Sequence, residues 1–162
     1  MTDGQRVLDA IRRLVRQLRV SDRAAQQRAG ISAAQHFVLS QVGQSPQMSL
    51  GELAERTHTD QSSVSAIVTR LVESGLIERV RADDDARRLE LTLTRSGRAA
   101  LRKVPVVAQE QIVAAVEKLP PARRREFAET FNELLDAIGA APCAPMLFED
   151  EGTEKKRKSD GA

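Results

Sequence analysis

Apolar residues recur along this chain in blocks whose period changes from 3.6 to 2 and back. From Val7, the positions Val7, Ala10, Ile11, Leu14, Val15 and Leu18 follow i, i+3, i+4, i+7 spacing and predict an amphipathic helix ended by Gly30. Arg12, Arg13, Arg16, Arg19 and Arg23 fall on the opposite arc, which reads as a solvated face. The apolar stripe needs a partner, either a distant helix of the same chain or a second subunit. Ser32 and Gln35 then form a capping-box pattern that opens a second helix through about Val42. After the Gly43 to Gln47 linker, which contains Pro46, Ser49 and Glu52 repeat the pattern, with Met48 and Leu53 placed as a hydrophobic staple.

A third helix is expected from about Thr59-Asp60 to Ser74. Val64, Ile67, Val68, Leu71 and Val72 occupy one arc of it and must be buried, and Gly75 closes it. The other arc carries Ser62, Ser63, Ser65, Ala66, Thr69 and Arg70. Ordinary helix surfaces favour Lys and Glu, so an arc of small side chains is suited to close approach. Past Gly75 the period becomes 2. Leu76 to Arg81 predicts one strand, and Leu89, Leu91 and Leu93, alternating with Glu90, Thr92 and Thr94, predict a second. The polar stretch between them, Ala82 to Arg87, makes the tip of a β-hairpin.

Helical spacing returns from Thr94. Leu101, Val104, Ala108, Ile112, Ala115 and Leu119 predict one long helix, kinked by Pro105 near Arg102 to Pro105. Pro120-Pro121 stops it and starts another, whose stripe is Phe127, Phe131, Leu134, Leu135 and Ile138. From Gly139 onward periodicity is lost, which predicts a disordered tail. The expected fold class is mainly α with a small β-hairpin wing: a winged helix-turn-helix over residues 30–97, a helical layer from residues 5–29 and 98–139, and a tail at 140–162.

Composition narrows the function. The 162 residues carry four Phe and neither Trp nor Tyr, which excludes the aromatic platforms that stack single-stranded bases. Net charge is +2, yet twenty of the twenty-five basic residues are Arg, the side chain suited to bidentate phosphate and guanine contacts. A single cysteine, Cys143, and an amino terminus without an apolar core region point to the cytoplasm, and no apolar run is long enough for a bilayer. Two histidines, His36 and His58, with no metal-ligand spacing, nucleophile motif or phosphate loop, argue against an enzyme and against a metal or cofactor. His36 is read first as a core histidine and second as a ligand contact; His58 is read as a turn residue. Asp83, Asp84 and Asp85, being consecutive at a hairpin tip, cannot all converge on one cation.

Duplex DNA fits these residues better. Small side chains on the third helix let the backbone approach the major-groove floor, and their hydroxyls and Arg70 can bond phosphates or base edges. Arg81, Arg87 and Arg88 sit at or beside the hairpin tip, where a guanidinium suits the minor groove, and Asp85 is placed to orient Arg87. The alternative is a winged-helix protein-interaction module without DNA-binding activity. The missing large apolar anchors on the third helix speak against it.

The stretch Asp85-Ala86-Arg87-Arg88-Leu89-Glu90-Leu91-Thr92-Leu93-Thr94, followed by Gly97 and preceded by Gly75-Leu76-Ile77-Glu78-Arg79, resembles the wing signature of the MarR (multiple antibiotic resistance regulator) family. The order of elements over residues 5–139 is similar too. The resemblance implies a homodimeric transcription regulator, probed by a pseudo-palindromic double-stranded site, with the first and last two helices as the dimerisation layer. It implies groove or phosphate contacts for Ser62, Ser63, Ser65, Thr69 and Arg70, a wing-tip role for Arg87 oriented by Asp85, and lesser roles for Arg81 and Arg88. It also implies repression relieved by a small organic effector, for which His36 is the candidate contact. Cys143 lies in the tail, far from the first-helix position of the family's redox-sensing cysteines.

Overall fold

The computed structural model describes residues 1–82, 88–104 and 106–140. Helix α1 (Asp3–Ala29) starts earlier than the apolar stripe does, because Thr2 and Gln5 form a capping box of their own. Gly30, at φ +70°, ends it in the left-handed conformation that glycine adopts without a Cβ penalty. α2 (Ala33–Gln44) and α3 (Leu50–Arg56) begin at the expected Ser32 and Ser49 capping boxes. α4 (Gln61–Glu73) begins at Asp60, whose carboxylate accepts the Ser63 amide.

Strands β1 (Ile77–Arg81) and β2 (Leu89–Leu93) form an antiparallel pair with Ile77 opposite Leu93 and Arg81 opposite Leu89. Leu91 also exchanges backbone hydrogen bonds with the segment before α3, donating to the Met48 carbonyl and accepting from the Gln47 amide. The wing is thereby stitched to the helix-turn-helix at its root. Thr94 strengthens the joint: its hydroxyl donates to the Gly75 carbonyl at 2.7 Å and accepts the Gly97 amide at the start of α5 (Arg95–Lys103).

Two expectations need correction. The alternation in β2 does not hold throughout, since Leu89 is exposed and Glu90 is buried. Leu89 lies beyond the end of the core, paired with exposed Arg81, whereas Glu90 is covered by an ion pair with Arg88 at 3.0 Å. The single kinked helix after Thr94 is in fact two, α5 and α6 (Ala108–Glu117). Val104 and Val107, on either side of the break, are both extended and both buried, so the interruption turns two valines into the core. The physical reason lies in the sequence: a residue preceding proline is pushed out of the helical region, and Val104 precedes Pro105. Pro105 itself lies outside the described residues.

The core is shared by α2, α3, α4, the hairpin and the α5–α6 junction, with Val38, Leu39, Leu53, Val64, Val68 and Leu71 fully buried. α1 reaches it only through its C-terminal end, where Ala25 is buried. There Ser21 accepts the Ala108 amide and Asp22 accepts the Ala33 amide, so α1 holds the starts of both α2 and α6. α7 (Pro121–Ala137) buries none of its residues fully. Val7, Leu8, Leu14 and Val15 on α1 and Phe127 on α7 remain exposed, which leaves the stripes of these helices only partly covered in one chain. The expected tail from residue 141 onward, with Cys143, lies outside the described residues. Among the described residues no helix is long and apolar enough to cross a membrane.

Candidate nucleic-acid interface

α4 owes its position to one apolar arc. Val64, Ile67, Val68 and Leu71 are buried against α2 and α3, so the opposite arc must face outward. Gln61, Ser62, Ala66 and Thr69 are exposed, and Ser63, Ser65 and Arg70 are half-buried at its edges. All five sequence-predicted α4 residues therefore share one outward surface. Gln61 belongs to it as well and was not among the expected contacts. Its place one residue before Ser62, at the first turn of the helix, was the available signal.

The Asp60 carboxylate organises the start of this surface. It accepts the Ser62 hydroxyl, the Ser63 hydroxyl at 2.5 Å and the Ser63 amide at 2.9 Å. These bonds, led by the Ser62 hydroxyl, hold its pKa down to about 2. A hydroxyl that donates to Asp60 presents only its acceptor side elsewhere. Ser62 and Ser63 must rotate away from Asp60 before they can donate to a phosphate. Thr69 is similarly engaged, donating to the Ser65 carbonyl one turn back at 2.9 Å.

Arg79 enters from the wing. On β1 it follows buried Ile77 by two residues, so it projects on the same face, and its guanidinium donates to the Thr69 hydroxyl at 3.4 Å. Sequence reasoning placed Arg79 in the family motif but assigned it no contact, although the period of two from Ile77 was legible. Arg81, two residues further, is exposed near the tip. Arg88 is different, since it is half-buried and paired with Glu90. Asp85 and Arg87 lie outside the described residues.

α3 is held against α2 by Arg56, which donates to Gln41 at 2.8 Å, Ser45 at 2.9 Å and Gln44 at 3.2 Å. The turn into α4 passes through His58, at φ +50°, and the Thr57 hydroxyl donates to the Leu53 carbonyl. His58 is thus the turn residue expected.

His36 lies away from this surface and only 1% exposed. Its Nε2 is 2.5 Å from the Val104 carbonyl, the bond that ties α2 to the α5–α6 junction, and its Nδ1 is buried without a partner. Donation to a carbonyl requires the proton on Nε2. Burial lowers the imidazole pKa, opposed by the Val104 carbonyl and by the charge of Glu110. The full burial and the Val104 bond are those of a core histidine.

Two short capped helices, a recognition helix with an outward polar face and a hairpin stitched to its end define a winged helix-turn-helix. Comparison with known proteins agrees and goes further. A family model described as MarR family matches residues 29–88. The chain is 34% identical over 108 residues to the HTH-type transcriptional regulator BilQ of Clostridium symbiosum, covering 67% of this chain and 75% of that one. It is 26% identical over 117 residues to the HTH-type transcriptional repressor Rv2887 of Mycobacterium tuberculosis, covering 72% and 84%. Among solved structures, Streptococcus pneumoniae FabT in complex with DNA superposes with a TM-score of 0.58 at 18% identity, over 85% of this chain and 99% of that one, which speaks for the fold. The chain belongs to the MarR family of transcription regulators. Its relatives are regulators and not enzymes.

Proposed function

We propose that the chain is a homodimeric, sequence-specific double-stranded DNA-binding repressor. The observation that carries the DNA part is the outward arc of α4, mostly small hydroxyl side chains with Ala66, Gln61 and Arg70, and with Arg79 and Arg81 projecting beside it from β1. Small side chains permit close backbone approach to a major groove, and flanking guanidiniums supply phosphate contacts. In this reading Ser62, Ser63, Ser65, Thr69 and Arg70 meet the groove or its phosphates, as does Gln61, a residue type that pairs with adenine. Arg81 and the wing-tip Arg87, oriented by Asp85, reach the flanking minor groove. Arg88 has a lesser part because it is engaged by Glu90.

The dimer is supported by the partly covered stripes of α1 and α7, which a second copy of the same helices would close over. Residues 5–29 and 98–139 then form the dimerisation layer, and residues 30–97 the DNA-binding part. Two recognition helices related by a dyad require a pseudo-palindromic site with half-sites about 34 Å apart. Repression relieved by a small organic effector follows the family resemblance, and the names of Rv2887 and other relatives as repressors support the sign of regulation.

Selection of bound duplexes from random DNA, followed by footprinting, tests the proposal. A symmetric protected site is the expected result. A featureless pool, with affinity that ignores sequence, overturns it. Arg79→Ala is expected to weaken binding to all sequences and to lower the salt slope by about one unit.

A further inference from the structure

α1 carries a second periodic feature besides its apolar stripe. Arg12, Arg16, Arg19 and Arg23 follow i, i+4, i+7, i+11 spacing, so they stand in one row on the outer face, and all four are exposed. The row spans about 16 Å of helix. None of the four forms a hydrogen bond or an ion pair among the described residues. The one acid between Arg12 and Arg23, Asp22, is turned toward α2, where its carboxylate accepts the Ala33 amide at 2.8 Å.

An ordinary solvated helix face interleaves the two signs, and neighbours of like charge three or four residues apart repel each other. This row holds three such pairs in succession, Arg12 with Arg16, Arg16 with Arg19 and Arg19 with Arg23, so it gains from an anionic cover. The chain itself supplies one. Glu149, Asp150, Glu151 and Glu154 put four carboxylates into six positions of the tail, which lies outside the described residues. Extended, that segment covers about 17 Å, the length of the row. The chain from Ala140 to Glu149 reaches up to about 30 Å.

We propose that the acidic segment Glu149 to Glu154 of the chain's own tail docks on the row formed by Arg12, Arg16, Arg19 and Arg23. Guanidiniums take carboxylates in paired, planar hydrogen bonds. One exposed ion pair adds little, but a tethered segment presents several at once at a high effective concentration. Direction follows from charge. With Glu154 toward Arg12, the run Lys155 to Lys158 passes on toward exposed Asp9, whereas the opposite direction would lay it toward Arg28. Covering the row keeps α1 from drawing nucleic-acid phosphates away from α4. That consequence rests on the function proposed above, whereas the contact is read without DNA, so either can fail without the other.

The test places a nitroxide on Cys143, the single cysteine, six residues before Glu149, and reads the NMR spectrum of the full chain. Amide signals of residues 12–23 should broaden more than those of α4. The broadening should be lost at about 1 M salt, where charges are screened within about 3 Å. It should also be lost in a tail variant carrying Glu149→Gln, Asp150→Asn, Glu151→Gln and Glu154→Gln, and in Arg16→Gln/Arg19→Gln, whose glutamines keep the helix propensity of arginine. Equal broadening of α1 and α4, or broadening that survives either variant, overturns the proposal. Broadening of an isotope-enriched, unlabelled chain by a labelled second chain does so too, because it places the segment on another copy. So does an Arg16→Gln/Arg19→Gln chain with its tail intact whose affinity for random-sequence duplex falls, with a salt slope lower by about two, which would assign the row to nucleic acid.

Discussion

The body built from α2 to β2 and the outer helices α1 and α7 use the same amphipathic pattern but end differently. In the body every stripe meets another element, and Leu39, Leu53, Val64 and Leu71 lose all their exposure. On α7 no residue of the stripe from Phe127 to Ile138 is fully buried: Phe131, Leu134 and Leu135 are half-buried and Phe127 and Ile138 exposed, with the Phe127 and Phe131 rings stacked 5.8 Å apart. Periodicity therefore reports that a helix face must be covered. It does not report whether the cover lies in the same chain.

The largest effect that sharpens this contrast is Leu39→Ala. The side chain is fully buried, so its loss should cost about 2–5 kcal/mol, and denaturant melts should show the same loss at every protein concentration. Phe127→Ala should instead act through the concentration-dependent part of the stability, read as a shift of the dissociation midpoint on dilution. If Phe127→Ala lowers stability equally at all concentrations, the two regions are not distinguished as proposed.

Gly97→Ala probes the joint between wing and helical layer. Its Cβ would lie 2.1 Å from the Leu76 carbonyl oxygen, a backbone atom that cannot swing aside, so about 1–3 kcal/mol of destabilisation is expected in thermal or urea melts. Thr94→Ala, which removes the cap on Gly97 and the bond to Gly75, should cost about 1 kcal/mol. A neutral Thr94→Ala would mean that the wing root is held by Met48 and Leu91 alone.

The mildest expected effect is on pH dependence. Burial lowers the pKa of His36 in the folded chain below its ordinary 6.5, so the unfolded chain takes up the proton first. The contribution to stability is complete above pH 6.5 and is lost as the pH falls toward the lowered folded value. Urea melts between pH 7.5 and 5 should show the decline, and His36→Gln should flatten it. An unchanged slope in His36→Gln would assign the decline to another group.

Much of the body was legible because its signals are local. Ser32 with Gln35, Ser49 with Glu52 and the apolar arc of α4 each lie within a few turns; α2 and α3 begin at their expected caps, and α4 begins close to the expected Thr59-Asp60. The break between α5 and α6 was half legible. Pro105 announced a disturbance and pushes Val104 out of the helical region, but that the break is a full interruption, with Val104 and Val107 buried and the Val104 carbonyl bonded to His36, depends on the core. The inversion at Leu89 and Glu90 was hidden because it depends on where the core ends and on the Arg88 ion pair.

At the interface, the α4 arc followed from period alone, and the engagement of its hydroxyls did not. Nothing in the spacing of Ser62 and Ser63 says that Asp60 accepts both. Arg79 was overlooked as a contact because its neighbour Thr69 is ten residues away and on another element.

By itself the sequence determined which faces must be buried, where helices start and that a polar arc would face outward, since caps and periodicity act over a few residues. Tertiary structure alone decided which stripes find cover within the chain and that Met48 joins the wing to the helix-turn-helix. Those outcomes depend on distances between segments far apart in the chain, and local spacing does not encode them.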